Sequence, residues 1–179
     1  MTALALKRLG LVMLTSATLA LPIHGRSAPT ARVPIKDSTT AAHKWQADSV
    51  LTQVSTLMAR SDGTAATWLL TFYSPKARRS AIVTARESGQ VEIEPDVRNA
   101  STEPLPGEFI DSDRAVALAV KAGLQLKPGA SVMLGLTGAS AKVSKVTAYW
   151  AVTVPSTGGF ASVTLDAKDG QVITSNGIK

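Results

Sequence analysis

The stretch ADSVLTQVSTLM, residues 47–58, carries Ala47, Val50, Leu51, Val54, Leu57 and Met58 at steps of three and four. That spacing puts the apolar side chains on one stripe of a 3.6-residue period and predicts a helix over 40–60. Trp45 falls off this stripe.

Working outward toward the C-terminus, the pattern changes. ATWLLTFYS (66–74) is rich in aromatic and β-favouring residues, and SAIVTARE (80–87) and QVEIE (90–94) follow it as a hairpin. Residues 96–110 hold prolines and little apolar content and read as a linker. DSDRAVALAVKAGL (111–124) then reads as a second helix. Asp111 or Ser112 can cap its free N–H groups, and Asp113 suits the positive end of its dipole. SVMLGLTG (131–138) and TAYWAVTV (147–154) read as strands, and GFASVTLDAKDGQVITS (159–175) as a closing hairpin.

The two stretches repeat one order of features. Trp68 and Trp150 open equivalent strands and are read as core anchors. Gly89 and Gly170 each precede Gln-Val in a polar turn. RESG (86–89) and AKDG (167–170) fit a type I turn followed by a positive-φ residue, a three-residue loop that needs glycine. The expected fold class is therefore α+β: two related helix-plus-antiparallel-hairpin units with helices packed on antiparallel sheet. The expected organisation is signal peptide 1–25, flexible leader 26–40, unit one 41–95, linker 96–110 and unit two 111–179.

The signal peptide rests on Lys7 and Arg8 ahead of the apolar run LGLVMLTSATLAL (9–21), broken by Pro22 and Gly25. The run is shorter than the roughly 20 apolar residues that span a bilayer. Cleavage near Gly25 would deliver a bacterial periplasmic or secreted protein. The chain has no cysteine, so disulfides, thiolate metal sites, thiol nucleophiles and cysteine lipidation are excluded together. The net charge is +6, and the densest basic run, SPKARRS (74–80), reads as a solvated hairpin tip. Nucleic-acid binding would want such residues interleaved with aromatics, so no nucleic acid is expected as a partner.

The helix SDRAVALAVKAGL (112–124), the strand AYWAVTV (148–154) and the hairpin SVTLDAKDGQVI (162–173) resemble the PepSY domain, a module of exported bacterial proteins. TWLLTFYS and AIVTARESGQV resemble it more faintly. The resemblance implies a helix packed across an antiparallel sheet, as in PepSY or cystatin-like folds, and a non-catalytic role. It also implies a protein partner in the envelope or medium, including a peptidase to be inhibited. It offers no catalytic residue to carry over.

No catalytic, cofactor-binding or metal-ligating set is read from the residues. His43 stands without a nucleophile-elbow sequence. Glu92 and Glu94 alternate on one strand face, the pattern of a solvated face rather than a calcium loop. The candidate partner-binding residues are Trp45, Tyr73 and Tyr149, and the structural ones are Trp68, Gly89, Trp150 and Gly170. The expected function is an exported binding module that restrains a peptidase or another envelope protein. The alternatives are a structural or stress-related envelope protein and, with least support from the residues, an unrecognised hydrolase.

Overall fold

The computed structural model describes residues 27–98, 100–140 and 145–178. The expected signal peptide and its cleavage point lie outside the described residues. The elements are helix α1 (Ile35–Trp45), strands β1 (Val50–Ala59), β2 (Thr67–Ser74), β3 (Arg79–Arg86) and β4 (Val91–Val97), helix α2 (Ser112–Lys121), and strands β5 (Val132–Gly138), β6 (Ala148–Ser156), β7 (Gly159–Asp166) and β8 (Val172–Asn176).

All eight strands form one antiparallel sheet in the order β4-β3-β2-β1-β5-β6-β7-β8. The expected α+β arrangement of two helix-plus-hairpin units is thereby overturned. The molecule is mainly a continuous sheet, and its two helices are short. The cause is the predicted helix over 40–60, which is two elements. α1 ends at Trp45, and β1 occupies the centre of the sheet between β2 and β5.

The physical reason lies in the register of β1. Its pairing with β2 slips between Leu51 and Gln53. One extra residue at such a bulge breaks the two-residue alternation and imitates a helical stripe. Thr52, Val54 and Thr56 are buried, whereas Leu57 is 69% and Met58 74% exposed. A helix would have put Val54, Leu57 and Met58 on one buried face. Val50, Thr52, Val54 and Thr56 are also β-branched at alternate positions, which favours a strand.

One row of side chains crosses the sheet from Ile93 through Val83, Leu70, Val54, Leu136, Trp150 and Leu165 to Val172. The six inner members are fully buried. α1 lies against β2, β3 and β4, and α2 against β6 and β7. On the opposite face the neighbouring row includes Thr84, Leu69, Ser55, Gly135, Ala151 and Thr164, all half-buried. Small and hydroxylated side chains suit a sheet face turned to water. Val54 and Leu136 pair at the middle of the sheet. They stand as far apart in the chain as Trp68 and Trp150, and the strand order reads the same outward from them.

Both tryptophans are wholly buried. Trp68 donates its indole N–H to the Pro29 carbonyl (3.0 Å), and Trp150 donates to the Ile110 carbonyl (2.9 Å). Each therefore keeps a partner for its one polar atom and ties the segment ahead of a helix to the sheet. The stretch expected as a flexible leader is packed where described. Ala28 and Ala31 are buried, and the Pro29 carbonyl also accepts from the Ala65 N–H.

The two Gly-Gln-Val turns differ in length. Gly89, with φ of 87°, ends the expected three-residue loop, closed by Arg86 N–H to Gln90 O at 2.9 Å. Gly170, with φ of 80°, instead ends a four-residue loop, closed by Asp166 N–H to Gln171 O at 2.8 Å. A Cβ on Gly170 would collide with Leu118 of α2. Gly170 thus answers to both a left-handed backbone and a helix laid against it.

Candidate binding site

Trp45, Tyr73 and Tyr149 do not share a surface. Trp45 ends α1 and lines a hollow with Val91 and Ile93 of β4, on the helix-bearing face. Tyr73 sits on the opposite face beside Arg78, Arg79 and Arg98. Tyr149 is on that face too, but on β6, with β1 and β5 between it and the β2 strand of Tyr73. All three are half-buried.

His43 lies in the last turn of α1, with its Nε2 3.2 Å from the Ser49 backbone carbonyl. Its contact is with main chain, at the turn into β1. Asp48 accepts from the Lys76 N–H (2.9 Å) and the Ser74 hydroxyl (2.8 Å). Those bonds hold its carboxyl below the ordinary 3.8 and pin the β2–β3 turn. Among the described residues, no three His, Asp or Glu side chains gather where they could hold a metal ion.

The arrangement that can bind a partner is found at the margins of the sheet. An edge strand presents unpaired backbone N–H and C=O groups to any extended chain. β4 carries Glu92, Glu94 and Asp96, with Pro95 among them. Asp96 has φ of 65° where the register slips, and it meets Arg79 through two contacts of 2.8 Å. Arg86 pairs with Glu92 at 3.3 Å. Charge and proline obstruct further pairing at this edge.

β8, at the other edge, reads VITSN and carries neither charge nor proline. All five residues are exposed, with Val172 at 52% and Ile173 at 47%. A slip between Thr164 and Leu165 sets Ile173 out of register, and Thr174 to Asn176 pair regularly with β7. The sequence signal for this edge was present in VITSN. An edge strand is defined by the neighbour it lacks, which the residues of a hairpin do not state.

No protein-family model matches the chain, and no curated protein matches it. The PepSY resemblance therefore rests on the quoted residues alone. A crystal structure of a Clostridium difficile 630 protein, described as a "putative lipoprotein", is similar in fold. The match has a TM-score of 0.55 at 14% identity and covers 84% of this chain and 96% of that one. At that identity the likeness speaks of the fold and of nothing else.

Proposed function

We propose that this protein is a non-catalytic binding module of the bacterial envelope or medium that takes an extended segment of a protein partner onto β8. The observation that carries this reading is the contrast between the edges. β4 is blocked by three carboxylates and a proline, while β8 leaves uncharged, exposed backbone beside Val172 and Ile173. A strand laid along β8 would gain main-chain hydrogen bonds and apolar contact without desolvating a charge. The export signal read in residues 1–25 supports the envelope setting. A secreted or envelope peptidase is the first partner class to test.

The experiment compares wild type with the double variant Ile173→Lys, Ser175→Lys. Both positions are exposed, so the fold should survive. Wild type should capture an identifiable protein from envelope extract or medium, and the variant should not. A control at the other edge, Glu94→Lys, should capture normally. Capture of nothing, or capture lost only in the β4 control, would sink the proposal. A dimer of this chain that disappears in the β8 variant, seen by light scattering, would assign the edge to a second copy instead. Secreted proteolysis lowered by wild type but not by the β8 variant would make the partner a peptidase.

A further inference from the structure

A cleft of about 530 Å³ lies between α1 and the segment 104–109 that leads toward α2. Its lining includes Ile35, Leu51, Leu105 and Phe109, with Arg32 and Lys36 beside them. The walls are held in place. The Leu105 N–H donates to the Leu51 carbonyl at 2.8 Å. The Arg32 guanidinium stands 4.5 Å over the Phe109 ring and donates to the Phe109 carbonyl. A guanidinium has five N–H donors, so this bond leaves others for a ligand.

Two observations point to a particular ligand chemistry. The residues lining the cleft include two cations and no carboxylate. Ser49 also borders the cleft, is only 4% exposed, and has a hydroxyl without a hydrogen-bond partner among the described residues. Its backbone is engaged, through its N–H to Gln46 and its carbonyl with His43. An enclosed hydroxyl left unpaired destabilises the free protein, and a χ1 rotation toward the cleft would let a ligand group supply the missing bond.

We infer that this cleft binds a small amphipathic carboxylate of the medium-chain fatty-acid class. The apolar lining takes the chain, Lys36 and Arg32 neutralise the carboxylate, and the Ser49 hydroxyl, rotated toward the cleft, donates to it. The volume falls within the range of small-molecule sites, roughly 300–1,000 Å³. The cleft is bordered by α1 and the start of β1, whereas β8 is the far edge strand, so this inference stands apart from the proposed partner site.

Calorimetric titration of the full chain with decanoate tests it. One saturable site is expected. Lys36→Gln should weaken binding about tenfold through the lost charge-assisted contact, and Ser49→Ala about fivefold. Decanol, with the same chain and no charge, should bind about tenfold more weakly than decanoate. Lys121→Gln, on α2, should leave the affinity unchanged. Thermal melts check that each variant folds, and Ser49→Ala should melt no lower than wild type without ligand. Absence of saturable binding overturns the inference. So does a decanoate affinity indifferent to both Lys36→Gln and Ser49→Ala, or equal affinity for decanol.

Discussion

In the N-terminal half of the sheet the outer strand carries Glu92, Glu94, Asp96 and Pro95, and in the C-terminal half the outer strand carries none of these. Both strands pair with neighbours whose inward side chains, Val83 and Leu165, are fully buried. The fold thus makes the same demand on each edge, yet only one edge carries charge and proline against another strand. The lesson is that guarding is separable from folding. An edge without charge or proline on an otherwise matching half is where the proposed partner would pair.

The two halves also match at their anchors, and the largest expected effect tests that match. Trp68→Ala and Trp150→Ala should each cost about 3–5 kcal/mol in chemical denaturation, as large core truncations do. Each variant should still unfold in a single transition, because β1 and β5 join the halves into one sheet. A loss under about 1 kcal/mol at either tryptophan, or two separate transitions, would break the equivalence.

The turns should respond unequally. Gly89→Ala should cost about 1–2 kcal/mol, the penalty for a Cβ in the left-handed region. Gly170→Ala should cost about 2–4 kcal/mol, because the new methyl also meets Leu118. Equal shifts in thermal midpoint would mean that α2 gives way to the methyl without loss.

The smallest effect concerns the turns at the other end of the hairpins. Asp48 pins the β2–β3 turn through Ser74 and Lys76. The β6–β7 turn has just two residues between Ser156 and Gly159, so it has less chain to hold. The folded-state pKa of Asp48 lies below 3.8. Its stabilisation is therefore complete above that value and is lost as pH falls through the lowered one. The stability difference between wild type and Asp48→Asn, measured in urea, should be constant near neutrality and shrink in strong acid. A difference that grows on acidification would contradict the sign.

Much of the local structure was legible. β2, β3 and β5 to β8 follow runs of β-branched and aromatic residues. Asp111 caps α2 by accepting from the Ser112 N–H at 2.8 Å. Gly89 and Gly170 both have positive φ, as the turn chemistry required. The error was concentrated in 50–59, where a bulge disguised a strand as a helical stripe. The alternate Val50, Thr52, Val54 and Thr56 carry the better signal.

The sequence by itself thus determined where the hairpins turn, where α2 begins and which runs other than β1 are extended, since caps, glycines and β-branched side chains act on their own backbone. Tertiary structure alone decided that β1 would join the halves into one sheet, that the segment around Pro29 would be packed under Trp68, and that β8 would be left open. It also decided that Arg32, Lys36, Leu51 and Leu105 would meet around one cleft. The physical reason is common to all four. A ladder of hydrogen bonds, a buried indole and a cleft wall each need a partner distant in the chain, and a sequence states its residues without stating which of them will meet.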